Sequence, residues 1–183
     1  MTDDAERFTA MYDACRRRVW AYAAARAGRQ VADEVVSETF TVAWRRFGDV
    51  PEPPLPWLLG VARNVLRDTV RAELRRASFA AELHDWTDPG AAEDDIADEV
   101  ADRLALRRAL GTLGEDDREV LILAAWQGLG PRDAATVVGC TAATMRVRLH
   151  RARRRLAAAL DHTAAVRLPH AGSRVRLTGE EVR

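Results

Sequence analysis

Apolar side chains in this chain recur three and four positions apart over most of its length. That is the period of an amphipathic helix, whereas a half-buried strand alternates with a period of two. There is no sustained alternating run of β-branched residues and no Asn-Gly or Asp-Gly hairpin signal. The chain is therefore expected to be all-α. One stripe runs Phe8, Met11, Tyr12, Cys15, Val19, Tyr22, with Gly28 as its stop. A second runs Val36, Phe40, Ala43, Trp44, Phe47 and ends at Gly48. Residues 48–56 read GDVPEPPLP, and four prolines in nine positions predict a stiff loop. A third stripe, Leu58, Val61, Ala62, Val65, Leu66, Thr69, continues as a basic helix to about Arg76.

Charge then divides the chain. All 28 cationic residues are Arg, balanced by 28 acids to a formal net charge of zero. Residues 81–102 carry nine acids and no Arg, while residues 103–160 carry eleven Arg against five acids. A neutral total is thus compatible with a nucleic-acid partner. The acidic stretch 78–98, broken by Pro89-Gly90, reads as a linker between two small helical domains, 1–77 and 99–161. Residues 162–183 show no period and read as a loose tail.

Several classes are set aside. The longest apolar runs fall well short of eighteen residues, so no membrane insertion is expected. The acidic start MTDDAERF does not read as a signal peptide. Two Cys, 125 positions apart, and four scattered His offer no disulfide framework and no metal spacing. Each Cys reads as a small buried hydrophobe. These features together predict a cytoplasmic protein with no metal and no cofactor. No Gly-rich phosphate loop and no nucleophile–His–acid set stands out, so an enzyme is not expected.

The second half has a sharper pattern. Helical spacing runs from about Asp98 to Leu110, then from Glu115 to Gln127 with Val120, Leu121, Leu123, Ala124 and Trp126 inward. Glu115, Asp116 and Asp117 suit the positive end of that helix. Pro131 fits the first turn of a short helix to Val138. Gly139-Cys140-Thr141 makes a tight turn, and Thr141 can cap a last helix from Ala142 to about Leu160. Two helices joined by such a turn form a helix-turn-helix. In the last helix Met145, Leu149, Ala152 and Leu156 make a narrow inward stripe. Arg146, Val147, His150, Arg151 and Arg154 point the other way, with Arg148, Arg153 and Arg155 on the flanks. A helix of this width fits the major groove, where Arg can bond guanine or neutralise phosphate. The candidate DNA-contacting set is Thr141, Thr144, Arg146, Val147, Arg148, His150, Arg151 and Arg154. The alternative is a solvated face, but a face with Arg and almost no acid has nothing to neutralise it.

LGEDDREVL at 113–121 and GLGPRDAATVVGCTAATMRVRLHRARRRL at 128–156 together resemble region four of ECF-type (extracytoplasmic-function) sigma factors of bacterial RNA polymerase. ADEVVSETFTVAWRRF at 32–47 resembles the polymerase-binding helix of region two. WLLGVARNVLRDTVRAELRR at 57–76 resembles its promoter-melting helix. Both halves occur in the family's order, over roughly residues 6–160. Asp133-Ala134-Ala135 departs from the usual Glu-Ile-Ala, and Val147 stands where a small polar residue is common.

The resemblance implies three partners. Core RNA polymerase would contact the acidic helix face of Asp33, Glu34 and Glu38, with Thr41 at its border. Without the resemblance, that face reads as solvated. Promoter DNA would be held at the minus-thirty-five element by the last helix. The third helix and the proline loop would hold it at the minus-ten element. There Arg63, Arg67, Arg71 and Arg75 form a ladder at intervals of four, spanning about 18 Å. Asn64 beside it can read base edges, and Asp49 and Leu55 of the loop are further candidates. Arg63 has a second reading, as the partner of an internal carboxylate. An anti-sigma factor is the third implied partner. The acidic linker fits two readings, a mimic of nucleic acid or a solubilising spacer. Trp57 reads as core, Trp20, Trp44 and Trp126 as core or subunit contacts, and Trp86 as an exposed docking residue. A polymerase-independent helix-turn-helix regulator is the alternative function.

Overall fold

The computed structural model describes residues 2–77 and 97–167 of the chain, with side chains over 3–69 and 104–162. The acidic linker's residues 78–96, including Trp86, and the tail's 168–183 lie outside the described residues. So do the side chains of Arg71 and Arg75.

The described residues form helices and turns, with no strand among them. In chain order they are α1 (Thr2–Ala27), α2 (Arg29–Arg45), a 3-10 turn (Phe47–Asp49), and α3 (Leu55–Ala77). The second half holds α4 (Ala97–Gly111), α5 (Glu115–Leu121), a π-helical turn (Ile122–Trp126), α6 (Pro131–Val138), and α7 (Ala142–Arg167). The last helix thus runs past Leu160, and the first six residues assigned to the tail continue it. The proline loop is shorter than expected: α3 already starts at Leu55, with Pro56 in its first turn, where a missing N–H costs nothing.

α1 and α2 are separated by Gly28 alone. Its φ of 84° and ψ of 166° lie in a region that is essentially glycine-only. Its N–H still donates to Ala24 O at 3.0 Å, so the reversal completes the last turn of α1. The hairpin then packs on α3. Met11, Val19 and Tyr22 of α1, Val35 and Phe40 of α2, and Leu58, Leu59 and Leu66 of α3 are buried together.

The same core does not stop at the first half. It continues without a break into Val120, Ile122 and Leu123, into Ala134, Ala135 and Val137 of α6, and into Met145 of α7. Helix α6 lies along α3, where Gly60 brings the backbones close: a Cβ there would lie 3.9 Å from Val137 Cα. A smaller core, Leu113, Leu121 and Ala152, joins α4, α5 and α7. Arg118 ties α4 to α5 by donating to the carbonyls of Leu110, Gly111 and Leu113. Leu110 O also accepts from the Leu113 amide at 3.2 Å, so the guanidinium braces the turn that closes α4. Burial lowers the pKa of this guanidinium.

No helix among the described residues is long and apolar enough to cross a membrane.

A Cβ on residue 28 would meet no atom within 4 Å, so any penalty there is conformational. Gly28→Ala is expected to destabilise the fold by about 1–3 kcal/mol, read from the urea midpoint. An unchanged midpoint would mean that the reversal carries no strain.

Candidate nucleic-acid and polymerase interfaces

The helix-turn-helix forms as its turn residues dictate. Gly139 closes α6 in the left-handed region, with φ 76°. Thr141 Oγ1 accepts from the Thr144 amide at 3.1 Å, capping α7. Thr141 and Thr144 also share a hydroxyl–hydroxyl bond of 2.9 Å. Both stay exposed, yet both hold the cap, so a DNA contact from either hydroxyl would share its bonding with α7's first turn. Met145 and Ala152 are buried and Leu149 and Leu156 half-buried, as the stripe predicted. Arg146, Val147, Arg148, His150, Arg151 and Arg154 are all exposed on the opposite faces.

The face is not without acid, however. Arg155 donates to Asp117, and Glu115, Asp116 and Asp117 share a shallow cleft with Arg148, Arg151 and Arg155. The first turn of α5 therefore neutralises one flank of α7. The sequence reading missed this because the two segments are some thirty residues apart.

The minus-ten candidates divide. Asn64 and Arg67 are exposed on α3, and Asp49 is exposed and paired with Arg46 at 3.1 Å. Leu55 is a correction: it is 7% exposed and packs into the core, because α3 begins with it. Arg63 takes its second reading, as the partner of an internal carboxylate. Only 12% of its side chain is exposed, and its Nε donates to Glu119 Oε1 at 2.9 Å.

Glu119 is the structure's most informative residue. It is 2% exposed and sits on α5, in the second half. Its ring of partners comes from the first half: Tyr22 Oη donates at 2.6 Å, Arg63 at 2.9 Å, and Arg26 Nη1 stands 2.5 Å away. The Arg26 contact lacks hydrogen-bond alignment, so it acts by charge. Burial alone would raise the Glu119 pKa, but the Arg63 bond, the Arg26 charge and the Tyr22 bond outweigh it and hold it below the ordinary value. Burial, then the Glu119 charge, pushes the Tyr22 phenol well up. Burial would lower the Arg63 pKa, yet its bond to Glu119 leaves it raised.

A second clasp lies alongside. Arg18 donates to the Gln127 side chain at 3.3 Å and to its carbonyl, and Gln127 Nε2 donates back to Arg18 O at 3.2 Å. The π-helical turn explains why Gln127 faces in. Its N–H reaches Ile122 O at 3.1 Å, which inserts an extra residue into the turn. Gln127 is 3% exposed, and Trp126, expected inward, is 58% exposed.

The polymerase candidates Asp33, Glu34, Glu38 and Thr41 are all exposed on α2. Asp33 accepts from Trp20 Nε1 at 2.9 Å, and Thr41 bonds Ser37 O at 2.8 Å. Only Asp33 and Thr41 of the four line the groove between α1 and α2, a space of about 1060 Å³. Its floor is aromatic: Phe8 meets Phe40 and Trp44 edge-on at 6.3 and 4.9 Å, and Tyr12 meets Phe40 at 4.7 Å. Trp44, read as core or subunit contact, is 53% exposed there. Its place on the stripe beside Ala43 hid this. Trp57 is half-buried against the core, with the Arg46 guanidinium 6.0 Å from its ring.

Among the described residues, no group of three or more His, Cys, Asp or Glu side chains is placed to share a metal ion. Cys15 is buried, and that burial raises its thiol pKa.

Comparison with known proteins matches both halves. Residues 11–76 match Sigma-70 region 2, and residues 103–156 match Sigma-70, region 4. RNA polymerase sigma factor CnrH of Cupriavidus metallidurans is 37% identical over 139 residues, 70% of this chain and 73% of that protein. ECF RNA polymerase sigma factor SigL of Mycobacterium tuberculosis is 33% identical over 165 residues, 86% of this chain and 91% of SigL. The chain belongs to the ECF sigma factors. The sigma factor RpoE, solved with the anti-sigma factor NepR from Bartonella quintana, has the same fold. Its TM-score is 0.69 at 23% identity, over 88% of this chain and 98% of RpoE. CnrH, solved with the cytosolic domain of CnrY, gives a TM-score of 0.54 at 27% identity, over 85% of this chain and 88% of that one.

Because the Glu119 pKa is depressed, its contribution is full above the ordinary 4.5 and is lost as pH falls through the lower folded value. Loosening of the two halves is therefore expected only below pH 4.5, with that step absent in Glu119→Gln. Scattering measured along an acid titration reads it. Loosening between pH 5 and 7 would contradict the assignment.

Proposed function

We propose that this ECF sigma factor binds core RNA polymerase and directs promoter-specific initiation of transcription. One observation carries the reading: a region-two unit and a region-four helix-turn-helix stand in one chain, in that order. Residues 1–77 form the region-two domain, 78–98 the linker and 99–161 the region-four domain. The chain performs no chemistry of its own; the polymerase makes the RNA. It works in the cytoplasm, where polymerase and promoters are.

Helix α7 reads the minus-thirty-five element from the major groove. Arg146 and Arg151 are the base-reading candidates, and Arg148 and Arg154 are suited to phosphates. The exposed Val147 offers an apolar contact to a thymine methyl. On α3, Asn64 and Arg67 face the opened minus-ten strand, and Arg71 and Arg75 continue the ladder. Asp49 sits in the loop before it. The α1–α2 groove seats the polymerase, with Asp33 and Thr41 on its wall and Trp44 in its aromatic floor, and the exposed Glu34 and Glu38 of α2 extend the contact outside it. An aromatic floor with a charged rim is the composition of energetic centres in protein interfaces. An anti-sigma factor is a further partner, by analogy with the RpoE–NepR and CnrH–CnrY complexes.

Core polymerase stripped of sigma, supplied with this protein and a fragmented genome, is expected to start transcripts at discrete sites sharing two upstream elements. Tight, specific duplex binding by the free protein with no initiation would instead favour a polymerase-independent regulator. Arg146→Ala and Arg151→Ala are each expected to weaken promoter binding by about 1–3 kcal/mol per lost base contact. Unchanged affinity in both would remove that face from the DNA. Charge reversal at Glu34 and Glu38 should impair co-purification with core polymerase while helix content stays unchanged. Normal co-purification would return those two carboxylates to solvent.

A further inference from the structure

Val147 is 49% exposed, and among the described residues it is the one large apolar side chain left exposed on α7. Its direction is fixed by its neighbours. Met145 is buried and Leu149 half-buried, and each stands two residues, about 160° of helix turn, from Val147. Val147 therefore points straight out along the centre of the outer face. Ala143, one turn earlier and also exposed, lies close to the same line. Folding does not explain this placement. A β-branched residue is a poorer helix former than Ala, and an exposed one gains no core contact in return.

The first two turns of this face hold little to bond with. Thr141 and Thr144 share their hydroxyls across 2.9 Å, and the Thr141 hydroxyl also accepts the Thr144 amide at 3.1 Å. Ala143 and Val147 carry no polar side-chain atom. Around them stand the exposed Arg146, Arg148 and Arg151. The setting draws a polyanion, while its centre offers a base edge neither donor nor acceptor. In the major groove one base-edge group suits such a centre: the 5-methyl of a pyrimidine, carried by thymine and by 5-methylcytosine. We propose that Ala143 and Val147 form a methyl-reading site, which selects a base pair of the minus-thirty-five element by its pyrimidine 5-methyl group. The inference rests on the promoter reading of α7 above and deepens it to the group recognised.

Selection works in two directions. A methyl set against Val147 leaves water, as apolar surface favours. A purine N7 or an amino group in its place would lose water with no protein group to replace it. Size matters as well. Ala143 lets the start of α7 lie close to the groove floor, near enough for a side chain as short as Val to touch a base. The N-terminal part of a recognition helix is the part that meets base edges. The Arg residues supply attraction to the duplex, and the apolar pair supplies the choice.

The test uses the holoenzyme, core polymerase with the full chain, on a promoter mapped by its own initiation. Each thymine of the minus-thirty-five element, on either strand, is replaced in turn by deoxyuridine, which removes the methyl and keeps the base pair. At one position or two neighbouring ones affinity is expected to fall about fourfold, the worth of one buried methyl-sized group. The log–log salt slope should not change, because no phosphate contact is lost. Val147→Ala removes an exposed side chain and leaves no cavity, so helix content should hold. It should abolish the difference between thymine and deoxyuridine at the sensitive position. A second arm separates the two sources of the methyl. There the T·A pair is replaced by C·G, plain or 5-methylated, and the parent protein, unlike Val147→Ala, should prefer the methylated form. Equal binding of the two forms by the parent would overturn the proposal. So would an element with no deoxyuridine-sensitive position, or a deoxyuridine penalty that survives Val147→Ala. Initiation from the unmodified promoter would leave the sigma reading standing in each of those cases. No initiation from any promoter would overturn the sigma reading, and the methyl site with it.

Discussion

A buried carboxylate must be met by cations and hydrogen-bond donors, because desolvation otherwise costs several kcal/mol. Glu119 meets that demand only by drawing on the other half of the chain. Tyr22, Arg26 and Arg63 come from helices that also build the region-two core. The ion cluster therefore sets where α5 sits, α5 sets the π-helical turn, and the turn delivers Gln127 to Arg18. The continuous core follows from the same placement. The buried pair adds little net stability over an apolar replacement; what it adds is a defined register between two units that a linker alone would leave free.

The same geometry separates the candidate surfaces into two groups. The groove on α1–α2 and the outer face of α7 are exposed while the halves are docked. Arg63 is not. The flank of α7 is also moderated from within, by the acids that open α5. A helix end favours carboxylates for its own stability, and here they stand against Arg148, Arg151 and Arg155. This arrangement trims non-specific attraction to phosphate and leaves Arg146 and Arg154 facing solvent.

Much of this was legible in the sequence. The α7 stripe and the Gly139 turn follow from local periodicity and backbone chemistry, which neighbours rarely override. Gly28 was legible as a stop, though not as the whole connection. Trp126 and Gln127 were misplaced because periodicity assumes 3.6 residues per turn, and one π-helical turn breaks that register. For Trp44 the choice between core and subunit contact stayed open, because an aromatic groove and a core have the same composition; its exposure sets the core reading aside. Glu119 was overlooked beside the exposed Glu115 and Asp116 and the half-buried Asp117. A signal did exist: it lies three and four positions before the buried Ile122 and Leu123, so the helix period already turned it inward. Arg63 lies between Leu59 and Leu66 on the buried side of α3 by the same logic. Which carboxylate it would meet was not readable, because that pairing spans 56 positions.

The central claim is that Glu119 sets the register between the two halves of the chain. Spin labels at exposed positions on α1 and α7, Asp13→Cys and Arg153→Cys in a chain lacking its own cysteines, would read the separation directly. The free protein should give one short distance, and Glu119→Ala a broader distribution. The same narrow, short distance in Glu119→Ala would contradict the account.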